Sequence, residues 1–173
     1  LDRVAKDMGQ QCYEVPVGFK YISAKMAETN AVIGGESSGG LAVRGHIAGK
    51  DGIYAAALLV EMLAVTGKSV SQLYQEITDK YGMLYYEDAA FTMTQARKAE
   101  LQEKLFVKLE VPDFGNAVEK INRTDGCKVY FTDGSWVICR FSGTEPLLRM
   151  AAEGESQSQA RTYIRIWREA LGL

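Results

Sequence analysis

The feature that most constrains this chain is a change of grammar partway along it. From Ala117 onward, "AVEKIN", "CKVYF", "SWVICRF" and "LLRMAAE" are short runs of strand-forming residues. Thr124-Asp125-Gly126 and Asp133-Gly134 separate the first three, and such turn residues join antiparallel neighbours. Ala160, Tyr163, Ile164, Trp167 and Leu171 then recur at helical spacing and put one apolar stripe on a final helix. The second half therefore reads as a small α+β domain, a largely antiparallel sheet with helices on one side.

The first half obeys other rules. Leu1, Val4, Ala5 and Met8 follow helical spacing and Gly9 supplies a stop. "QCYEVPVG" reads as a short strand and turn. "FKYISAKMAETN" sets Phe19, Ile22 and Met26 on one helical face, and "AVIGG" returns as a strand. Gly34 to Gly49 holds six glycines in sixteen residues and few large apolar side chains, which predicts a long loop without regular structure. The helical pattern resumes from Asp51 to Thr66, and Ser69 with Gln72 forms a capping box for a helix ending near Tyr81. This order is α/β in character. Thr92 with Gln95 is a candidate cap for a charged helix running to about Lys108. The boundary falls near Lys80, giving an α/β segment over 1–80 and a hinge with an α+β domain over 81–173.

Composition narrows the functions. The 173 residues carry a formal net charge of −2 and no dense Lys/Arg run, so a nucleic-acid partner is not expected and any bound anion is small. Cys12, Cys127 and Cys139 are odd in number and far apart, unlike zinc ligands, and read as reduced thiols of a cytoplasmic protein. No stretch has the length of a membrane span or the layout of a signal peptide. The longest apolar run, Ile53 to Val65, is interrupted by Glu61 and predicts a buried helix. Because the chain opens inside a helical pattern and without Met, it reads as a piece of something longer.

Three loops could carry chemistry. In "RFSGTEPLLR", Arg140 to Arg149, a glycine between two hydroxyl residues lets successive backbone N–H groups converge. Guanidinium groups add charge and fork geometry, a combination suited to a phosphate dianion. On spacing alone, two surface arginines beside an ordinary turn remain an equal reading. In "GGESSGG", Glu36, Ser37 and Ser38 offer groups that read vicinal sugar hydroxyls, although a solvated Gly/Ser linker has the same composition. "RGHIAGKDG" gathers Arg44, His46, Lys50 and Asp51, with Asp51 suited to cap the next helix. Lys20 in "VPVGFK" stands at a helix start, where its amine could meet an anion.

The order "VPVGFKYI", "GGESSGG", "GHIAGKDGI", "RFSGTEPLLR" resembles the C-terminal part of the α-D-phosphohexomutases, and its loops look most like the bacterial phosphoglucomutase form. The resemblance covers essentially the whole chain. It implies an incomplete third α/β domain followed by a complete fourth domain. It assigns sugar recognition to Lys20, Glu36, Ser38 and His46, and the grip on the phosphate not being transferred to Arg140, Ser142, Gly143, Thr144 and Arg149. It further implies an intramolecular phosphotransferase that interconverts glucose 1-phosphate and glucose 6-phosphate through a phosphoserine. Magnesium would be the cofactor and a hexose 1,6-bisphosphate the intermediate.

The chain departs from that family where chemistry would occur. No "TASHNP"-like stretch offers the phosphoserine and no "DGDxDR"-like stretch offers the metal site. No catalytic or metal-ligating residue is therefore expected within it, and it should be inactive without the N-terminal domains of the same enzyme. A phosphomannomutase, another hexose-phosphate mutase, a free-standing phosphosugar-binding module and a remnant that binds nothing stay open beside this reading. A sheet lacking a strand would also expose an edge able to pair with a second copy.

Overall fold

A computed structural model describes residues 1–173 except Leu109 and Thr144. The chain divides into two compact units, Leu1–Gly82 and Met83–Leu173.

The first unit runs α1 (Asp2–Asp7), α2 (Phe19–Thr29), β1 (Ile33–Gly35), β2 (Leu41–Val43), α3 (Gly52–Thr66) and α4 (Val70–Tyr81). Helix α2 ends at Asn30, the one non-glycine residue with positive φ among those described, a conformation Asn tolerates at a helix end. Its buried Ile22 and neighbouring Met26 press on β1. A Cβ on Gly34 would stand 2.5 Å from Ile22 Cγ2 and 2.6 Å from Met26 Sδ, so only glycine lets the strand approach. Strands β1 and β2 pair antiparallel, with Ile33 opposite Val43 and Gly35 opposite Leu41. Asp51 caps α3 by accepting from the N–H groups of Ile53 and Tyr54, and Gly67 ends it in the left-handed region. The capping box at α4 is complete: the Ser69 hydroxyl accepts from Gln72 N, and the Gln72 side chain accepts from Ser69 N.

Three expectations for this half are corrected. Residues 11–16 form no strand. The glycine-rich segment contains regular structure, because β2 closes a hairpin whose turn is held by Glu36 N donating to Gly40 O and Gly39 N donating to Glu36 O. Glycine content masked a strand whose apolar residues, Leu41, Ala42 and Val43, number only three. The apolar run of α3 is not buried: Ile53 is 87% exposed, Val60 65% and Val65 80%. Apolar residues all round a helix ask for cover on more than one side, and this unit does not supply it.

The second unit runs β3 (Tyr85–Thr92), α5 (Gln95–Gln102), a π-helical stretch Glu103–Val107, then β4 (Val118–Asn122), β5 (Cys127–Phe131), β6 (Trp136–Phe141), β7 (Leu147–Gly154) and α6 (Gln157–Leu171). The five strands form one antiparallel sheet in the order β3-β7-β6-β5-β4. Alternation decides the faces: Val129, Val137, Cys139, Leu148, Met150 and Ala152 point inward, where Leu101, Leu105 and the α6 stripe of Ala160, Tyr163, Trp167 and Leu171 cover them. Phe114 sits edge-on to Phe131, Tyr163 and Trp167 at centroid distances of 5.4, 5.8 and 5.6 Å. Thr94 caps α5 through Arg97 N, whereas the expected cap Thr92 is the last residue of β3. The α-helix stops at Gln102, short of Lys108, by passing into the π-helical stretch.

Candidate functional site

Of the expected sugar-reading residues in the first unit, Glu36 and Ser38 lie in the β1–β2 hairpin, His46 follows β2, and Lys20 lies in the first turn of α2. Glu36 stands where β1 leaves for the turn, and its largely covered carboxylate receives Lys50 Nζ at 2.9 Å. The same ammonium lies 5.4 Å from the centre of the Phe19 ring, next to Lys20 at the start of α2. Lys50 thus ties the hairpin to the helix that carries Lys20. Gly40 permits this arrangement, because a Cβ there would stand 2.5 Å from Lys50 Cδ and 3.0 Å from Glu36 Oε2. A second tie joins α2 to the following loop, the Ser23 hydroxyl donating to Ala48 O at 3.0 Å. Ser38 is exposed in the hairpin turn, and the Lys20 ammonium lies over the Tyr21 ring at 4.9 Å.

His46 is held from two sides. Its Nε2 is 2.8 Å from Asp51 Oδ2, and its ring stacks on Tyr54 at 4.0 Å between centroids and 19° between planes. Asp51 uses the other oxygen to cap α3, so one carboxylate fixes both the helix start and the imidazole. The Tyr54 N–H, then His46, hold that carboxylate below its ordinary pKa against the effect of burial, and Ile53 N–H adds to this. The ties made by Lys50 and the grip of Asp51 on His46 were not read from sequence. The 14-residue separation of Lys50 from Glu36 carries no local signal, whereas His46 and Asp51 lie within one motif.

In the second unit, Arg140 on β6 and Arg149 on β7 are direct cross-strand partners. They share the sheet face opposite the buried one, flanking the loop 142–146 that joins the strands. Two like charges directly opposite each other are unfavourable unless an anion lies between or beside them. Glu145 supplies part of that compensation, with Arg149 Nη2 donating to Glu145 Oε2 at 3.3 Å. Ser142 is 6% exposed; its hydroxyl accepts from Glu145 N at 3.2 Å, and its N–H donates to Leu147 O at 2.8 Å. Its hydroxyl therefore shapes the loop from within. Gly143 is exposed, and a Cβ there would meet nothing within 4 Å. Thr144 lies outside the described residues.

Two further residues shape this loop. Lys98, from α5, donates to Ser142 O at 3.2 Å with its ammonium 5.8 Å from the Phe141 ring centre. Gly126, in the β4–β5 turn at φ +90°, lies against Arg140: a Cβ would stand 2.5 Å from both Cys139 O and Arg140 Cβ. The sequence flagged Gly126 only as a turn signal and was silent on Lys98, which is 44 residues from its partner. Among the described residues, no three His, Cys, Asp or Glu side chains come together as a metal site, and no single helix is long and apolar enough to cross a membrane.

An α/β segment carrying a glycine-rich hairpin, followed by an antiparallel sheet with paired arginines at one hairpin loop, defines a two-unit α/β plus α+β protein. The chain belongs to the phosphoglucomutase/phosphomannomutase family: residues 1–81 match its alpha/beta/alpha domain III and residues 92–168 its C-terminal domain. It is 32% identical over 166 residues to a phosphoglucomutase/phosphomannomutase from Thermococcus kodakarensis, covering 96% of this chain and 34% of that one. A "Probable phosphoglucosamine mutase" from Methanopyrus kandleri is 30% identical over 161 residues, covering 93% of this chain and 33% of that one. The crystal structure of a putative phosphomannomutase from Thermus thermophilus superposes with a TM-score of 0.74 at 26% identity, covering 100% of this chain and 34% of that one. The chain thus spans about a third of the length of the curated relatives it matches.

Proposed function

We propose that this chain is the substrate-recognition portion of a phosphohexomutase, in which the loop at Arg140, Ser142, Gly143, Thr144 and Arg149 grips a sugar phosphate. Lys20, Glu36, Ser38 and His46 read sugar hydroxyls. The observation that carries the reading is the cross-strand pairing of Arg140 with Arg149 beside an open Gly143. A phosphate dianion relieves the repulsion between the guanidinium groups and accepts their forked donors. Its equivalent oxygens also suit an enzyme whose bisphosphate intermediate must bind in two opposite orientations.

In the whole protein, the activity is the interconversion of hexose 1-phosphate and hexose 6-phosphate through a phosphoserine. Glucose is favoured by the form of the "GESSGG" and "GHIAGKDGI" loops. Mannose and glucosamine phosphates are the competing substrates, the latter because matching relatives are named phosphoglucosamine mutases. Magnesium would neutralise phosphoryl charge during transfer, and no described residues of this chain make a site for it. The partners are the phosphosugar and the remaining domains of the enzyme, whose packing would also cover the apolar surface of α3.

The test is a calorimetric or NMR titration with inorganic phosphate and, separately, with glucose 1-phosphate. Arg140→Ala is expected to weaken phosphate binding by roughly 1.5 to 3 kcal/mol, the worth of a charge-assisted partner. Unchanged affinity in the variant would refute the assignment of the loop.

A further inference from the structure

We propose that Lys98 is a positioning residue of the phosphate loop, one that aims the Gly143 N–H at the anion. The inference rests on the phosphate reading of that loop and adds a residue from outside it. Lys98 reaches the loop from α5, and its ammonium donates to the carbonyl oxygen of Ser142. That carbonyl and the Gly143 N–H belong to the same peptide unit, and in a trans peptide the two point in opposite directions. Drawing the Ser142 oxygen toward α5 therefore turns the Gly143 N–H away from it. The space around Gly143 is open on its Cβ side, so a ligand can approach.

Two further bonds anchor this loop. Ser142 N is fixed by Leu147 O, and the Ser142 hydroxyl is engaged by Glu145 N. Those bonds hold the start and the exit of the loop, and the bond from Lys98 acts on the peptide between Ser142 and Gly143. Lys98 is itself restrained: its helix is capped by Thr94, and its charged end lies over Phe141 at the end of β6. Being half-buried, it also places a positive charge beneath the loop.

The experiment compares the chain with its Lys98→Met, Lys98→Arg and Arg140→Ala variants, using inorganic phosphate as the probe. Binding is followed by the backbone amide resonances, with Gly143 as the reporter. Met keeps the stem over Phe141 and removes the donor, so phosphate should bind about 5- to 20-fold more weakly. The Gly143 amide should already be displaced in the unliganded K98M variant. Arg restores a donor at nearly the same reach and should recover most of the affinity, which a purely structural role for the stem does not predict. Should K98M fail to fold, Lys98→Gln takes its place, because its amide can still donate to Ser142 O without the charge. It should retain the Gly143 resonance position while binding phosphate more weakly.

A K98M variant that binds phosphate like the parent, while R140A does not, would overturn the role of Lys98 and leave the phosphate loop standing. Absence of phosphate binding by the parent at millimolar concentration would overturn both.

Discussion

Among the described glycines of the sheet unit, Gly126 makes the closest approach to backbone, and replacing it by alanine tests how the turn and β6 are joined. The residue holds φ +90°, where an L side chain is strained, which costs on the order of 1 to 3 kcal/mol. The added Cβ would also stand 2.5 Å from the Cys139 carbonyl oxygen and from Arg140 Cβ, and 2.9 Å from Arg140 Cα. Two of those three atoms are backbone, and Cys139 is locked in register with Cys127 on one side and Met150 on the other. The overlap cannot be relieved by rotating a side chain, so an overpacking cost of about 1 to 3 kcal/mol adds to the strain. Gly134→Ala is the matched control: Gly134 has φ +84° but nothing within 4 Å of its added Cβ, so it should bear the conformational cost alone. Both tryptophans, Trp136 and Trp167, lie in this unit. Urea unfolding followed by their fluorescence therefore reports it without contribution from the other unit. G126A should be less stable than G134A by about 1 to 3 kcal/mol; equal losses would refute the steric argument.

Two further outcomes follow from the network and the core of the same unit. Asp133 is partly buried, which pushes its pKa up, but the Ser135 hydroxyl and N–H and the Asn116 and Gln159 amides outweigh this and hold it below the usual value. With a lowered folded pKa, its stabilisation is present above the ordinary carboxylate pKa and is lost as pH falls through the folded value. Asp133→Asn should flatten the acid limb of a urea-midpoint-against-pH curve, and an unchanged limb would exclude Asp133 as its source. Cys127 and Cys139 are buried in the core, and burial pushes both thiols up in pKa, whereas Cys12 is exposed. A thiol-reactive disulfide reagent should therefore titrate one group promptly in the native chain and the other two only as the sheet unfolds. Prompt reaction of all three would contradict the packing.

Local chemistry was legible in the sequence wherever the partners are near in chain. Ser69 and Gln72 announce their capping box, Asp51 its helix, and the Asp-Gly turns their strands, because each interaction closes within a few residues. Strand β3 was not read from the sequence, which made its region a hinge. Its inward residues are Glu87, Ala89 and Phe91, so a charge and a methyl stand where a core strand normally shows large apolar groups. The Glu87 carboxylate is accommodated by Gln157 and Arg161 of α6, a pairing over 70 residues that no local pattern carries. Helix α3 shows the converse limit: its composition states a requirement for cover without stating what provides it. At the candidate site, the loops themselves were visible as motifs. Lys98, Lys50 and Gly126 were not, since each acts through a neighbour brought to it by the fold.

The strand order of the sheet sets a schedule for its assembly. β4, β5 and β6 follow one another through short turns and can pair as soon as they exist, but β3 has only β7 as a sheet neighbour. Its register joins Tyr85 to Gly154 and Thr92 to Leu147, closing a loop of more than fifty residues. During synthesis β3 emerges first among the five and must wait, unpaired, until the fifth is made. The adjacent acidic pair Glu87-Asp88 puts two negative charges in the middle of β3, which opposes aggregation of this waiting segment. The acidic pair that keeps β3 from looking like a core strand also lets a ribosome display it without harm.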